Sequence, residues 1–303
     1  MTSRRAKLLI ACLRFLKKRQ NRTTMPIQVI RRRLEYLEHV VPLPPAGTIT
    51  TAIDAAGINA FRITVPQSRI DRYVLFFHGG GYVVGSAPLY RDFTWRLAVA
   101  AQSRVLYFDY RLAPEYPFPA AIEDSIRVYH WLANRCDRRR IAFIGDSSGG
   151  GLALGTLRKL RDMGSHLPGA MVAMSPWTDL ALSGQSLHSN AEADPMMNVS
   201  LLPKLANHYL AGADSRNPYA SPLYGDPRGL PPILLQVGSD EILRDDAVRM
   251  AEKAKAAGCD VEIEVWPRMP HAWHLYARIL PEGHQAIQQI GTFLDRKLLR
   301  TSK

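Results

Sequence analysis

Six short stretches of the chain, Tyr73 to Phe77, Val105 to Phe108, Ile141 to Ile144, Ala170 to Met174, Ile233 to Val237 and Val261 to Val265, are apolar or rich in β-prone residues. The first five lack regular polar alternation. Uninterrupted hydrophobicity is what a strand covered on both faces requires, so the pattern predicts the parallel strands of an α/β protein. Between them Ile122, Ile126, Tyr129 and Leu132 recur at helical spacing, and Leu152, Leu157 and Leu160 do so less regularly ahead of Gly164, a residue suited to ending a helix. Successive runs start 32, 36, 29, 63 and 28 residues apart, where about 30 residues suffice for one strand and its crossover helix. The long interval holds an insertion between Trp177 and Pro222, with its own helical pattern at Leu201 to Leu210. Active sites of open α/β sheets form at the carboxyl edge of the strands, so an insertion rising there becomes a lid.

Upstream, Ile49 to Asp54 and Ile58 to Val65 flank the turn-prone Asp54-Ala55-Ala56-Gly57, which predicts an antiparallel hairpin at the sheet edge. The stretch V-P-L-P-P-A-G from Val41 to Gly47 interrupts helix and central strand alike and sets a boundary before it. The expected organisation is N-terminal cap helices over 1–48, an α/β core over 49–176, a cap insertion over 177–222 and the second part of the core over 223–303. No internal repeat or low-complexity tract appears.

With 303 residues, 47% hydrophobic and 22% charged, the chain can bury a large core, and no run of apolar residues is long enough to span a bilayer. Its three cysteines, Cys12, Cys136 and Cys259, form no C-x-x-C pair and point to a reducing, cytoplasmic setting. The net charge of +12 is concentrated: residues 1 to 33 hold eleven Lys and Arg and no acid, whereas the remainder carries 28 basic and 27 acidic side chains. A general polyanion-binding surface is therefore not expected, and nucleic acid is excluded as a partner. The apolar stretch Leu8 to Leu13 is too short for a secretory signal. On a helical wheel Leu8, Leu9, Cys12, Leu13, Phe15 and Leu16 share one side and Lys7, Arg14, Lys17 and Lys18 the other. A helix packed on its own protein with a solvated basic face is the preferred reading, with peripheral membrane attachment second.

Gly145-Asp146-Ser147-Ser148-Gly149 is the only G-x-S-x-G of the chain, and it lies between a predicted strand and a predicted helix. That is the context of a nucleophile elbow, which would raise the Ser147 hydroxyl above the sheet. His78-Gly79-Gly80-Gly81 ends another strand, where glycines let backbone amides approach a ligand closely. Gly80, Gly81 and the amide of Ser148 are the expected donors to an oxyanion. A serine needs a base held in one tautomer by an acid. Asp240 is the first acid after the strand ending at Val237, and His271 follows the last strand by a short turn. Asp240 is preferred over its neighbours Glu241, Asp245 and Asp246; His274 and His78 are read as structural. An ordinary imidazole base would give activity rising near pH 6.5 to 7, about the free imidazole value.

These motifs, H-G-G-G at 78 to 81, D-Y-R-L-A-P-E-Y-P-F-P-A-A at 109 to 121, G-D-S-S-G-G at 145 to 150, G-S-D-E-I-L-R-D-D at 238 to 246 and M-P-H-A-W-H at 269 to 274, together resemble the bacterial hormone-sensitive-lipase-like esterases. The resemblance runs from about Tyr73 to the C-terminus; the first 48 residues match only as a helical segment that would join the cap. It implies an α/β-hydrolase fold with a mostly parallel sheet and a helical cap, a triad of Ser147, Asp240 and His271, and an oxyanion hole of Gly80, Gly81 and Ser148. Where the family usually has Ala, this chain has Ser148; the donor is a backbone amide, so the substitution is expected to leave the role intact, with the acyl pocket the place where the added hydroxyl would show.

The expected activity is hydrolysis of short- to medium-chain carboxylic esters through an acyl-enzyme, with no metal or organic cofactor and a small ester as partner. Trp177, Met196, Met197, Leu201, Leu202 and Tyr209 are candidates to line the acyl or alcohol site. Lactone hydrolysis and deacetylation of a small metabolite use the same triad and stay open, as does a homodimer. A trypsin-like reading of G-D-S-S-G-G fails on residue order and on the α/β pattern. A non-catalytic ligand receptor on the same fold would be signalled by loss of a triad member, and none is missing.

Overall fold

Strand residues of alternating parity enter two separate cores, and this division organises the molecule, a computed structural model that describes residues 2–19 and 26–298. Leu75, Phe77, Leu106, Phe108, Ile141, Phe143, Met171, Leu235 and Val237 point to one face; Val74, Phe76, Val105, Tyr107, Ala142, Ile144, Val172 and Leu234 point to the other. Both sets are buried, as the uninterrupted apolar runs require.

The eight strands among the described residues are β1 (Ile49–Asp54), β2 (Asn59–Thr64), β3 (Tyr73–Phe77), β4 (Arg104–Phe108), β5 (Ile141–Asp146), β6 (Ala170–Met174), β7 (Ile233–Gly238) and β8 (Val261–Trp266). They form one sheet in the order β1-β2-β4-β3-β5-β6-β7-β8. The β1–β2 hairpin is antiparallel and joins β4 antiparallel, while β4, β3, β5, β6, β7 and β8 run parallel. The predicted edge hairpin and all six predicted runs are present. The fold is thus the expected α/β-hydrolase architecture.

Two helices precede the sheet, α1 (Arg4–Arg19) and α2 (Ile27–Glu38). Of those that follow, α3 (Arg91–Ala101) and α9 (Pro281–Leu298) cover one face through Phe93, Leu97, Ile290 and Phe293. The other face is covered by α4 (Ala120–Ala133), α5 (Ser148–Asp162) and α8 (Arg244–Ala256), through Val128, Tyr129, Leu157 and Met250. Between β6 and β7 lie α6 (Ser186–Ser189) and α7 (Leu202–Leu210), and Leu202, Ala206 and Tyr209 continue the second core outward above the strand ends.

The sequence treats the apolar side of α1 as one surface, but the structure splits it. Ala6 and Leu9 pack beside Met269, Trp273, Leu280 and Ala286, and Ser3 at the helix start hydrogen-bonds Glu282. Leu8, Cys12, Phe15 and Leu16 face outward. Lys17, assigned to the solvated basic side, instead turns inward and donates to the carbonyl oxygens of Ala191 (3.0 Å) and Asp194 (2.8 Å).

Candidate active site

At the end of β5 the chain reverses into α5 at Ser147, whose φ of 53° and ψ of −124° lie where non-glycine residues pay about 1 to 3 kcal/mol. Neighbouring backbone over-determines this turn. The Ser147 amide donates to the Met174 carbonyl (2.9 Å), and its own carbonyl receives the amides of Gly150, Gly151 and Trp177. A Cβ on Gly149 would run into the carbonyl oxygen of Phe77, so glycine is needed there for the helix to approach β3.

The Ser147 hydroxyl lies 2.9 Å from His271 Nε2, and His271 Nδ1 lies 2.8 Å from Glu241 Oε2. A carboxylate only accepts, so Nδ1 carries the ring proton and Nε2 is left to accept from the serine. The acid beside the imidazole is therefore Glu241, not Asp240 as the sequence reading expects. Asp240 is half-buried and accepts from the Ser239 hydroxyl (2.7 Å). After β7 the backbone turns, with the Glu241 amide donating to the Gly238 carbonyl, so the next acid along is the one aimed back over the strand end. Glu241 is fully buried, and Oε1 accepts from the Gly238 amide (2.6 Å) and the Ser175 hydroxyl (2.7 Å). Burial alone would depress the His271 pKa, but the hydrogen bond and charge of Glu241, with Asp194 and Asp146 farther off, raise it above the ordinary imidazole value.

The segment between β6 and β7 holds the acid-bearing turn. Asn190 Nδ2 donates to the carbonyls of Ser239 (2.9 Å) and Glu241 (2.8 Å). Asp194 Oδ2 accepts the Ile242 amide (3.0 Å), while its Oδ1 accepts the amides of Met196 and Met197 (2.8 Å each). Sequence reasoning missed both residues, because the turn they hold lies 48 to 51 positions away.

The glycine loop is wound through left-handed backbone at Gly80 (φ 119°), Gly81 (φ 63°) and Tyr82 (φ 65°). A Cβ on Gly80 would collide with the Val84 carbonyl, and one on Gly81 would come within 2.7 Å of Leu205 on α7. Asp146, unremarked inside its own motif, pins the loop: Gly79 donates to Asp146 Oδ1 (2.9 Å) and to the Tyr90 hydroxyl (2.9 Å), which donates to Asp146 Oδ2 (3.0 Å). Burial pushes the Asp146 carboxyl up to about 6 against these donors. His78 donates from Nδ1 to the Gly79 carbonyl (2.7 Å) and stacks on Tyr110 at 4.1 Å between ring centroids, and burial lowers its pKa to about 4. His274 donates to Gln236 Oε1 (2.8 Å), and burial lowers its pKa to about 3. On the cap side, Asp246 accepts the amides of Thr178 and Asp179. Burial and the neighbouring Asp179 push its pKa to about 7.

Above Ser147 and His271 opens a cavity of about 450 Å³. Of the predicted lining residues, Trp177, Met196, Met197, Leu201 and Leu202 stand in its wall, together with Gly80 and Gly81. Tyr209 does not. It is buried behind the wall, stacked on Tyr82 with ring centroids 3.7 Å apart, because α7 turns its Leu202 and Leu205 to the cavity and Tyr209 to the core. Ile30, Arg33 and Leu34 of α2 close the opposite side, residues whose basic helix gave no sequence signal for a pocket. Ser148 is fully buried and is not among the residues lining the cavity.

A strained serine at a strand-to-helix turn, an imidazole and a buried acid from later strand ends, and a glycine loop beside them define an α/β hydrolase. The matching family is described as alpha/beta hydrolase fold and aligns over residues 74–275. An acetyl-hydrolase of Streptomyces hygroscopicus is 45% identical over 76% of this chain and 77% of its own. An esterase of Acinetobacter venetianus is 34% identical over 87% of each. A solved esterase from the bacterial hormone-sensitive lipase family superposes with a TM-score of 0.92 at 43% identity, covering 98% of this chain and 99% of that one. The chain belongs to the alpha/beta-hydrolase family, in its bacterial hormone-sensitive-lipase branch.

Two acids now compete for one role, and substitution separates them. Glu241→Ala should lower kcat by about a thousandfold or more, while Asp240→Asn stays within about threefold. The free-enzyme base must be neutral to act, so kcat/KM should rise with pH along a limb whose midpoint lies above about 6.5. Glu241→Gln removes the charge that raises the pKa but leaves the burial, and should move the midpoint down. Steady-state kinetics from acid to alkaline pH check both; an unmoved midpoint counts against the pairing.

Proposed function

We propose that this enzyme, an ester hydrolase of the alpha/beta-hydrolase family, cleaves short- to medium-chain acyl esters in two steps, with Ser147 as nucleophile, His271 as base and then acid, and Glu241 as the orienting acid. The observation that carries this reading is the 2.9 Å contact between Ser147 and His271, with Glu241 behind, at the floor of an apolar cavity. Ser147 Oγ attacks the ester carbonyl as Nε2 takes its proton. The amides of Gly80, Gly81 and Ser148 face the charge that develops on the former carbonyl oxygen. The imidazolium protonates the departing alcohol; water then attacks the acyl-serine, gives its proton to Nε2, and the acid leaves with Ser147 restored. Metal and organic cofactors have no part in this sequence.

The cavity volume falls toward the lower end of small-molecule sites, about 300 to 1,000 Å³, which favours compact acyl groups. The Streptomyces acetyl-hydrolase supports a second reading within the same chemistry, an acetylated small molecule as substrate. Across p-nitrophenyl esters of increasing chain length, with lactones and acetylated sugars in the same panel, the rate should peak at short acyl chains. Ser147→Ala should lose at least about a thousandfold in kcat; turnover that persists removes Ser147 from the role.

Attachment to an anionic membrane surface is supported by the outward side of α1. Among the described residues no helix is long and apolar enough to cross a bilayer. Yet Leu8, Phe15 and Leu16 are 68%, 53% and 48% exposed, and the exposed basic residues Arg4, Arg5, Arg14 and Lys18 flank them with no acid on the helix. A groove of about 460 Å³ follows, walled by Leu8, Leu9, Cys12, Ile279 and Leu280 between Arg5 and Arg278. Apolar side chains between cations suit a lipid surface better than a polynucleotide. Vesicles rich in anionic lipid should sediment the protein, weakly in high salt, and Leu8→Glu with Phe15→Glu should abolish this; equal binding to neutral vesicles would sink the electrostatic part.

A further inference from the structure

Ser148 contributes more than an amide to the turn. Its hydroxyl, fully buried, accepts the backbone amide of Tyr82 at 3.3 Å. The Tyr110 hydroxyl donates to the His78 carbonyl (2.8 Å). The oxygen at the start of α5 is therefore bonded to the Tyr82 end of the glycine loop, while the Tyr110 hydroxyl holds the His78 end. An alanine at this position would keep the amide and lose the link.

The loop needs such restraint. Gly80, Gly81 and Tyr82 take positive φ in succession, and Tyr82, having a side chain, is costly there. Its other ties are the Tyr82 carbonyl receiving the Ala113 amide (3.0 Å) and its ring stacked on Tyr209 of the cap. Those ties fix the carbonyl and the ring. The Ser148 hydroxyl fixes the peptide between Gly81 and Tyr82, the unit immediately following the Gly81 amide.

We infer that the Ser148 hydroxyl is a positioning residue for the oxyanion hole, holding the Gly81–Tyr82 peptide so that the amides of Gly80 and Gly81 converge with that of Ser148 on one point. The inference rests on the esterase reading of the site. Oxyanion stabilisation depends steeply on donor placement and acts in the transition state more than in the bound substrate, so loss of the hydroxyl falls on kcat.

Ser148→Ala removes only this oxygen. It should lower kcat about tenfold on a short acyl ester with KM within about twofold. The dissociation constant of an alkyl trifluoromethyl ketone, whose adduct with the serine places an oxyanion in the same position, should rise by the same factor as kcat/KM falls. Tyr110→Phe, which takes away the hydroxyl that holds the His78 carbonyl at the other end of the loop, should shift both quantities in the same direction by a smaller factor. A kcat within twofold of the parent, a change confined to KM, or a lost rate with unaltered ketone affinity would each overturn the inference. Ser147→Ala in the same assay keeps the two levels apart: turnover that survives it removes the underlying reading, whereas Ser147-dependent turnover unchanged by Ser148→Ala removes only the role of the hydroxyl.

Discussion

Everything at the strand ends depends on one unfavourable backbone conformation, the positive φ of Ser147, being imposed from outside. The sheet supplies the Met174 carbonyl, the segment after β6 supplies the Trp177 amide, and α5 supplies the amides of Gly150 and Gly151. Each bond is individually modest, about 1 kcal/mol. Together they exceed what the turn costs, and the serine is thereby offered to the cavity with its hydroxyl toward His271. A relaxed turn would return the side chain to the helix N-terminus, where it would cap rather than react.

The strands and the order of serine, acid and histidine were legible because they rest on local rules: apolar runs for strands buried on both faces, glycines where backbone segments touch, and a motif between a strand and a helix. The choice between Asp240 and Glu241 was not legible. It is decided by how the chain turns after Gly238 and by a tie from the distant Asn190, neither of which leaves a periodic trace. Tyr209 illustrates a second limit. Its apolar ring at helical spacing fits a pocket wall and a cap core equally, and only the stack on Tyr82 selects the core. The division of α1 into an inner and an outer apolar face likewise depends on what it lies against, here Met269, Trp273 and Leu280.

The segment between β6 and β7 braces the site as well as walling its cavity. Asn190 and Asp194 bind the backbone of the turn that carries Glu241, and the same Asp194 orders Met196 and Met197 at the cavity wall. Lys17 of α1 reaches the carbonyl of Asp194 itself. The elements that wall the cavity are therefore bonded to the elements that hold Glu241, and the cavity wall and the hydrogen-bonded Ser147–His271–Glu241 set share one support.

Four of the ionisable side chains buried around the site do not respond to acid in the same sense. His78 and His274, with affinities for protons lowered by burial to about 4 and 3, stay neutral in the folded chain while their unfolded counterparts charge below about 6.5. Acidification thus draws those two toward unfolding. Asp146 and Asp246, raised to about 6 and 7, bind protons in the folded chain before the unfolded one does, and so pull the other way over the same interval. Acid tolerance of the scaffold is accordingly a balance of opposed titrations, distinct from that of the His271 imidazole proposed as the base.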